Sequence, residues 1–305
     1  MPELSVIMSV YKENLDYIRL AIVSILEQSE INFEFIIILD CPERNDVEKL
    51  IMNFHDSRLI LLKNKKNLGL AKSLNIALDH AKGIYIARMD ADDIAKKDRF
   101  EKQIKLLKNT DADVVSCRAI FIDDHGNIIG KMKPIRKNNI NKKLPIKNVI
   151  LHPGVMMKKE AVIEVGLYRE FPVCQDYDLW LRMLTKKKLI LISNEYLMYF
   201  RRYSDSISSK NRAKQFVCDH YAKELYKVRE NNDEGNDSFS NVELKKRIDY
   251  VQESDKSSID NYITVRNKLR DKISINNILC ILKLMLNPMI RILVKEQIQY
   301  FFTEI

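Results

Sequence analysis

The sequence predicts an α/β fold in which a mostly parallel sheet is flanked by helices. Short apolar runs recur along the first half of the chain, and such runs are typical of buried strands. The segments between them carry apolar residues at helical spacing, so strands and helices alternate. This order predicts parallel strands joined by helical crossovers. With 305 residues, 46% of them hydrophobic, the chain is long enough for one large domain and an appendage.

The predicted elements begin with the apolar run Leu4–Val10, a buried strand. Asn14 can cap a first helix, whose apolar residues repeat over 18–26. Gly83 is a stop signal for the helix predicted over 70–81. Further helices are predicted over 47–54, 100–107, 176–184 and 214–229, and further strands over 35–39, 58–62, 84–89, 114–122 and 189–200.

The composition changes along the chain and suggests two parts. Residues 1–210 carry the strand and helix alternation, interrupted at 123–150 by a polar, basic stretch with a turn signal at 124–127. Residues 211–305 are predicted to form a helical extension. Within the extension, residues 231–261 are rich in Asn, Asp, Ser and Lys, which fits either a linker or a solvated pair of helices.

The end of the extension is both apolar and basic. Its i, i+3, i+4 pattern predicts amphipathic helices. The apolar stripe comprises Ile275, Ile278, Leu279, Leu282, Met285, Leu286, Met289, Ile290 and Leu293, and the polar face Asn276, Lys283, Asn287, Arg291 and Lys295. Lys283, Pro288 and Arg291 argue against a transmembrane span. The stripe therefore predicts either docking on an anionic membrane surface or packing on the main domain or on a second subunit.

The net charge of +9 indicates a polyanionic partner: nucleic acid, an anionic membrane surface or a phosphorylated substrate. The basic residues are mixed with acidic ones and no nucleic-acid-binding motif occurs, so we expect no nucleic-acid partner. The remaining explanations for the positive net charge are an anionic membrane surface and the phosphates of a substrate.

Several classes of protein are excluded by absent motifs. The five cysteines are scattered and form no C-x-x-C pair, which argues against a disulfide framework and a zinc site. The glycine-rich phosphate loops G-x-G-x-x-G and G-x-x-x-x-G-K-[ST] do not occur, so neither dinucleotide oxidoreductases nor P-loop ATPases fit. The first ten residues lack the basic region and cleavage site of a signal peptide, and we expect a cytoplasmic protein with reduced thiols.

Carboxylates follow two of the predicted strands directly. Asp40 ends the strand over 35–39, and Asp90, Asp92 and Asp93 follow the strand over 84–89. Ligands of open parallel sheets bind at the carboxyl ends of the strands. Crowded carboxylates at such a place suit Mg²⁺ or Mn²⁺ shared with phosphates. The alternative is a solvated turn in which one aspartate caps the next helix, and spacing alone does not decide between the two.

Several segments, in one order, resemble the family 2 glycosyltransferases. They are SVIMSVYKEN (5–14), IIILD (36–40), NLGLAKSLN (67–75), DADD (90–93), HPG (152–154) and QDYDLWLR (175–182). The DADD segment matches the D-x-D motif of that family, and NLGLAKSLN matches the segment that precedes it. Order and spacing agree from residue 4 to about residue 209. The resemblance implies a GT-A (Rossmann-like) fold and an inverting, metal-dependent transfer from a nucleotide-sugar.

The same resemblance implies a role for each matching carboxylate. Asp40 would accept a hydrogen bond from the base of the donor, with uracil as a natural partner. Asp90 would contact the ribose or the metal, and Asp92 would be the direct ligand of Mn²⁺ or Mg²⁺ with Asp93 in support. Asp176 would be the general base that takes the proton of an acceptor hydroxyl. Capping of the following helix is the alternative for both Asp40 and Asp176.

Other matching positions imply contacts with the donor and the acceptor. Lys72 reaches a phosphate or is simply solvated. Arg201 and Arg202 are candidates for binding the diphosphate. On the acceptor side, His152 would orient the acceptor loop rather than bind metal, and Trp180 would stack on a sugar or pack in the core.

The sequence departs from the family pattern at several positions. Cys41 follows Asp40 where many relatives have a second aspartate, and Gln175 precedes Asp176 where glutamate is common. Tyr203 stands where some relatives place a histidine near the metal, so a protein ligand from this strand is in doubt. Two further interpretations are a surface ion pair between Asp178 and Arg182, which are four residues apart, and a loop over 204–209 that closes over the donor.

These features predict an inverting glycosyltransferase that moves a sugar from a nucleotide-sugar donor, with UDP as the expected nucleotide, to a hydroxyl of a saccharide acceptor. A lipid-linked acceptor and a place on the inner face of the cell membrane would fit the basic extension, as in relatives that build bacterial capsule or O-antigen. The alternative is a non-catalytic protein on the same fold that binds nucleotide-sugars or polysaccharides. The sugar, the linkage and the oligomeric state are not readable from the sequence.

Overall fold

The computed structural model describes residues 1–29, 32–135, 139–203, 211–271 and 274–304. The chain divides into two compact units. The first comprises Met1–Ile140 and Val149–Tyr203, and the second comprises Asn141–Asn148 and Ser204–Ile305. The predicted donor-closing loop over 204–209 lies outside the described residues.

The first unit contains the sheet. Its strands are β1 Leu4–Val10, β2 Phe33–Leu39, β3 Leu59–Lys63, β4 Tyr85–Asp90, β5 Ile94–Ala95, β6 Val114–Ile122, β7 Ile128–Lys131, β8 Met156–Lys158 and β9 Ile190–Arg201. The helices that accompany them are α1 Leu15–Leu26, α2 Asn45–Met52, α3 Leu70–His80, α4 Arg99–Thr110, α6 Lys159–Glu164 and α7 Gln175–Thr185. The short helix α5 Ile140–Lys143 belongs to the second unit except for its first residue. A 3₁₀ turn, His152–Gly154, precedes β8.

The described strands form one nine-stranded sheet in the order β3-β2-β1-β4-β8-β6-β9-β5, with β7 paired to β6. Strands β3, β2, β1 and β4 are parallel to one another. Strand β8 is antiparallel to β4 and β6, whereas β6 and β9 are parallel. The predicted α/β fold with a mostly parallel sheet is therefore confirmed. The short antiparallel strands β5, β7 and β8 were not predicted.

The central strands are the most buried part of the sheet. Strands β1 and β2 are buried along nearly their whole length, and Ile18 and Ile22 of α1 pack against their side chains. Strands that are covered on both faces need apolar residues throughout, which explains the continuous apolar runs in the sequence. This burial stabilises the fold by roughly 25 cal/mol per Å² of apolar surface removed from water.

The register of the central strands brings two predicted site residues to one edge. Strand β1 lies between β2 and β4, with Val10 paired to Leu39 and Ser9 paired to Asp90. The backbone N–H of Asp40 donates to the carbonyl of Val10 at 2.8 Å. Asp40 and Asp90 therefore follow strands on either side of β1, at the carboxyl ends where ligands of such sheets bind.

The second unit contains helices α8 Arg212–Glu230, α9 Asn241–Asp249, α10 Glu253–Asp271, α11 Ile275–Leu284 and α12 Pro288–Glu304. Residues 231–261 thus contribute to a pair of helices, one of the two predicted alternatives. Ala213, Ile259, Tyr262 and Ile290 form the buried core of this unit. Among the described helices, none has both the length and the apolar character needed to cross a bilayer.

The predicted apolar stripe at the end of the chain is divided in the structure. Met285, Met289 and Leu293 pack against the core of the second unit. The side chains on the other face of α11 and the turn after it remain exposed, namely Ile278, Leu279, Leu282 and Leu286. The predicted stripe therefore comprises two faces. One packs against the core of the second unit, and the other is exposed to solvent.

Candidate active site

The site is built around three carboxylates that follow β4. Asp90 ends the strand, and a tight turn with a 3.4 Å hydrogen bond from the N–H of Asp93 to the carbonyl of Asp90 folds the chain back. One oxygen from each of Asp90, Asp92 and Asp93 lies within 4.8 Å of the other two. The predicted cluster is thus assembled, and Asp93 is its buried member with 1% of its surface exposed.

Strand β9 supports this turn. Its last residue, Arg201, donates from its backbone N–H to Asp93 Oδ1 at 2.9 Å and from Nε to the carbonyl of Asp92 at 3.0 Å. The Nη1 group of Arg201 donates to the carbonyls of Asp123 and Asp124 at 2.8 and 3.3 Å. Arg201 is 3% exposed and holds the acidic turn. A contact with a diphosphate, as predicted, would require some of these bonds to open.

Tyr203 lies beside the cluster, at the place where some relatives carry a histidine. Its hydroxyl donates to Asp92 Oδ2 at 2.9 Å, and its ring lies 6.2 Å from that of Tyr17. A phenol hydroxyl next to a carboxylate can donate a proton in a hydrogen bond and accept one from water. The Tyr203 hydroxyl therefore stabilises the ionised form of Asp92, and it occupies the position where some relatives carry a histidine.

Burial and mutual repulsion shape the charges of the cluster. Burial, with the charge of Asp90 in addition, raises the pKa of Asp92 to about 7, while the hydrogen bond from Tyr203 opposes the shift. Burial and the charges of Asp92 and Asp90 raise the pKa of Asp93 well above its ordinary range. Burial also raises the pKa of Glu13, a further carboxylate whose environment includes Asp90. Such crowding is unfavourable unless a cation compensates it.

The donor set fits a hard divalent cation. Asp93 Oδ2 is buried and has no hydrogen-bond partner among the described residues. A buried carboxylate oxygen without a partner costs free energy that a cation would recover. Oxygen ligands of this kind are those that Mg²⁺ and Mn²⁺ prefer. The residues present therefore fit the predicted metal, and their arrangement does not choose between these two ions.

Asp40 secures the loop before α3. Its carboxylate is 3% exposed and accepts hydrogen bonds from Asn64 Nδ2 at 2.7 Å and from the N–H groups of Leu68 and Gly69 at 2.8 and 2.9 Å. The alternative that Asp40 caps the following helix is wrong, because the N-terminus of α2 has no side-chain cap. An ionised carboxylate has about four acceptor positions, so capacity remains for one more donor. Binding of a base by Asp40 stays a prediction.

Arg88 connects the acidic cluster with the predicted acceptor side. It lies on β4 two residues before Asp90, is 2% exposed and forms an ion pair with Asp90. The charge of Arg88 also acts on His152, whose pKa is lowered well below its ordinary value by burial first and by Arg88 second. His152 is therefore neutral at physiological pH, which agrees with a role in orienting a loop.

The acceptor side is held by α3. Asn75 donates from Nδ2 to the carbonyl of Tyr168 at 2.8 Å and accepts from the N–H of Tyr168 at 3.0 Å. The Tyr168 hydroxyl lies 3.0 Å from His152 Nε2. Trp180 packs edge-on to His152 and has no accessible surface, so the packing alternative describes its position. Its predicted contact with an acceptor is at most indirect in this conformation.

Asp176 lies in the first turn of α7 and is half-buried. Its charge reaches Tyr168, whose pKa is raised by burial first, and the charge of Arg88 opposes that shift. Asp90, Arg88, Tyr168 and Asp176 are thus electrostatically linked. The role of Asp176 as the general base stays a prediction.

The ion pair predicted between Asp178 and Arg182 is present, but its predicted surface location is wrong. The Nε–Oδ2 distance is 2.8 Å, and the two side chains are 0% and 5% exposed. Arg182 also donates to the carbonyls of Val165 and Leu167, the latter at 2.7 Å. The spacing of two residues on a helix does not show whether their face is covered. Here Arg182 connects α7 to the segment 165–167 and buries the ion pair.

The remaining donor-side candidates, Lys72 and Arg202, contact other side chains in this structure. Lys72 lies 3.0 Å from Glu170 with both side chains about half exposed, which matches its solvated alternative. The guanidinium of Arg202 lies 3.4 Å from the centre of the Phe121 ring. Phosphate binding by Lys72 and Arg202 stays a prediction.

Sequence reasoning missed Arg88, Asn75, Tyr168 and Glu13. Arg88 had a readable signal, because a lone arginine in an apolar strand two residues before Asp90 must share its face. Asn75 was part of a matching motif but had no assigned role. Glu13 also lies in a matching segment, three residues after β1 ends, but had no assigned role. Tyr168 carries no local signal, since tertiary packing alone brings it to the site.

Comparison with known proteins identifies the family. The model described as glycosyl transferase family 2 matches residues 5–166, just over half of the chain. An uncharacterized glycosyltransferase of Methanocaldococcus jannaschii is 36% identical over 205 residues, 66% of this chain and 71% of the relative. The O-antigen biosynthesis glycosyltransferase WbnJ of Escherichia coli is 33% identical, covering 72% of this chain and 87% of WbnJ. The amylovoran biosynthesis glycosyltransferase AmsE of Erwinia amylovora is 31% identical, covering 68% and 79%.

A solved structure supports the fold. The crystal structure of S. aureus TarS in complex with UDP matches with a TM-score of 0.60 and 14% identity, covering 90% of this chain and 76% of the TarS chain. At this identity the likeness shows the GT-A fold alone. The family model and the relatives carry the assignment, and the acidic turn after β4 lies within the matched residues. The chain belongs to glycosyl transferase family 2 and is a glycosyltransferase.

Proposed function

We propose that this enzyme transfers a sugar from a UDP-sugar to a hydroxyl of a saccharide acceptor with inversion at the anomeric carbon. The observation that carries the proposal is the acidic turn after β4. One oxygen from each of Asp90, Asp92 and Asp93 lies within 4.8 Å of the other two, and the buried Oδ2 of Asp93 has no hydrogen-bond partner among the described residues. TarS, which has the same fold, has been solved with UDP and with UDP-GlcNAc, and this supports a nucleotide-sugar donor.

On the donor side, Asp92 is the proposed direct ligand of Mn²⁺ or Mg²⁺, with Asp90 and Asp93 in support. The metal, when bound, neutralises charge on the departing diphosphate. Asp40 accepts a hydrogen bond from the base with its remaining acceptor capacity. Arg201 keeps the acidic turn in place through its bonds to Asp92 and Asp93.

On the acceptor side, Asp176 takes the proton of the attacking hydroxyl. The acceptor oxygen forms a bond to the anomeric carbon while the bond from that carbon to the diphosphate oxygen breaks, and the electron pair leaves with the nucleotide. One displacement inverts the configuration and needs no covalent enzyme intermediate. Neutral His152 and the Tyr168 loop shape the place where the acceptor binds.

The acceptor is proposed to be a lipid-linked saccharide of bacterial surface polysaccharide synthesis. Relatives named for amylovoran and O-antigen biosynthesis support this class. An enzyme that uses such an acceptor works at the inner face of the cell membrane, and the exposed apolar face of α11 with its basic neighbours would suit that surface. Peripheral membrane attachment is therefore part of the proposal.

Release of the nucleotide from a panel of nucleotide-sugars, with Mn²⁺ or Mg²⁺, tests the transfer. Asp92→Asn and Asp176→Asn should each lower kcat by about 10²-fold or more, since a metal ligand and a general base contribute at that scale. Asp111→Asn, at an exposed position in the left-handed C-cap of α4, is the matched control and should keep full activity.

Each outcome of this experiment bears on the proposal. Full turnover in both variants, with the wild-type melting temperature, would discard the assigned roles. Donor binding without turnover on any acceptor would instead support the non-catalytic alternative. Release that needs no divalent ion would exclude the metal while leaving the family assignment intact.

A further inference from the structure

Arg88 has an unusual environment for a charged side chain. It lies inside β4 with 2% of its surface exposed, and Asp90 is its ion-pair partner. Its Nε and Nη1 atoms are buried and have no hydrogen-bond partner among the described residues. A buried guanidinium with unused donors is unfavourable for folding, because water would satisfy those donors. Stability alone therefore does not explain an arginine at this position.

The strand around Arg88 is itself held firmly. The carbonyl of Arg88 accepts from Arg99 Nη2 at 2.9 Å, and Arg99 also donates to the carbonyl of Val155 at 3.1 Å. The N–H of Arg88 donates to that same carbonyl at 3.1 Å. The backbone beneath the ion pair is thus fixed to the segment that enters β8. Burial leaves the Arg88 side chain little room to move, so its ion pair holds the Asp90 carboxylate at a defined place.

The charges of the site give Arg88 a specific effect. Asp90, Asp92 and Asp93 bring three carboxylates within 4.8 Å of one another, and Arg88 is the cation paired with one of them. Its charge also favours the ionised form of Asp93. With Arg88 in place, the ionised cluster carries a net charge of about two negative units, which one divalent ion neutralises.

We propose that Arg88 is a positioning residue that restrains Asp90 and offsets its charge, so that the site binds its divalent ion loosely enough to exchange it. This inference rests on the metal site of the proposed function and adds a role for a residue outside the D-x-D motif. Loose binding lets the ion arrive and leave with the diphosphate. Without Arg88, the third carboxylate is free to join the metal, and the ion is held more tightly.

Calorimetric titration of the full chain with Mn²⁺ alone, with every variant at the same pH of about 8, measures this effect without a substrate. Arg88→Met removes the charge at similar length and should tighten Mn²⁺ binding by about tenfold or more. Arg88→Lys keeps the charge and should stay within about threefold of the wild type. Arg58→Met removes a comparable arginine, paired with Asp56 at 2.7 Å outside the acidic turn, and should change nothing.

Asp90→Asn supplies a second measurement that does not depend on the folding of Arg88→Met. Because Arg88 already offsets Asp90, this variant should weaken Mn²⁺ binding much less than Asp92→Asn does. Unchanged or weaker binding by folded Arg88→Met, or an equal loss in the two aspartate variants, would overturn the role of Arg88. Absence of Mn²⁺ binding by the wild type would instead overturn the metal site of the proposed function, so the two failures are distinguishable.

Discussion

At the scale of single residues, the ionisation of Asp92 is set by two opposing influences. Burial and the charge of Asp90 raise its pKa from the ordinary 3.8 to about 7, and the 2.9 Å hydrogen bond from Tyr203 holds the shift back. Because the folded state binds this proton more tightly than the unfolded state, its contribution to stability is fully present below pH 3.8. That contribution is lost as the pH rises to about 7. A divalent ion reverses the preference, since it binds the ionised form.

The affinity for Mn²⁺ should therefore rise between about pH 6 and pH 8, as the proton on Asp92 stops competing. Tyr203→Phe removes the donor that stabilises the ionised carboxylate, and should move the midpoint of this curve upward by about half a unit to one unit. Titration of Mn²⁺ at a series of pH values measures both. Tyr250→Phe, at a tyrosine 82% exposed, is the control. An affinity that does not vary over this range would contradict the assigned pKa.

The residues of the site differ in how well the sequence reveals them. Asp90, Asp92 and Asp93 are neighbours in the chain at the end of an apolar strand, so their grouping is predictable. The partners that complete the site are distant in sequence, because Tyr203 and Tyr168 arrive through strand pairing and loop closure. The resemblance to the family points to the position of Tyr203 but not to its hydrogen bond with Asp92, and no local pattern in the chain indicates Tyr168.

At the scale of elements, length and burial decided which parts were predictable. Strands β1, β2, β3, β4, β6 and β9 have five to twelve residues, most of them apolar, and the sequence predicts all six. Strands β5, β7 and β8 have two, four and three residues, and β7 is fully exposed, so their pattern does not differ from that of loops. These short antiparallel strands form through contacts with β4, β6 and β9. Tertiary pairing, rather than local preference, creates them.

The corner between α3 and β4 offers a test of how tightly the elements pack. A Cβ atom on Gly83 would lie 2.5 Å from the backbone nitrogen of Ser5 and 2.6 Å from the carbonyl carbon of Leu4. Gly83→Ala should lower the free energy of unfolding by about 1–3 kcal/mol, because β1 must move to admit the methyl group. Urea denaturation measures the change. Lys82→Ala, at the exposed neighbour, should stay within about 0.5 kcal/mol of the wild type, and an equally small effect of Gly83→Ala would refute the close approach.

At the scale of the whole molecule, the helical unit and the sheet unit were predictable to different degrees. The amphipathic pattern of the chain end predicted helices correctly. It did not show that Met285, Met289 and Leu293 pack inside the unit while Ile278, Leu279 and Leu282 of α11 face solvent. A helical stripe reports that one face is apolar, whereas the partner of that face depends on what else packs there. Exposed apolar side chains that lie close together are typical of a surface that binds a partner.

An anionic bilayer is the partner we expect for these side chains, because exposed Lys283, Arg291 and Lys295 lie on the same two helices. The full chain should sediment with phosphatidylglycerol vesicles and less with phosphatidylcholine vesicles, and salt should weaken the binding. The double variant Leu279→Glu, Leu282→Glu alters side chains that are 57% and 56% exposed, so it should lower vesicle affinity about tenfold or more without changing the melting temperature.

The matched control is the double variant Val242→Glu, Tyr250→Glu, which adds the same charge at exposed apolar positions of the same unit outside α11 and α12. Its vesicle binding should remain close to that of the wild type, because added charge alone does not remove the apolar contact. Equal losses of vesicle binding in the two double variants would show that the added negative charge, and not the loss of an apolar contact, weakens the binding. A dimer in light scattering that only Leu279→Glu, Leu282→Glu dissociates, with no sedimentation of the wild type, would assign the face to a second copy of the chain.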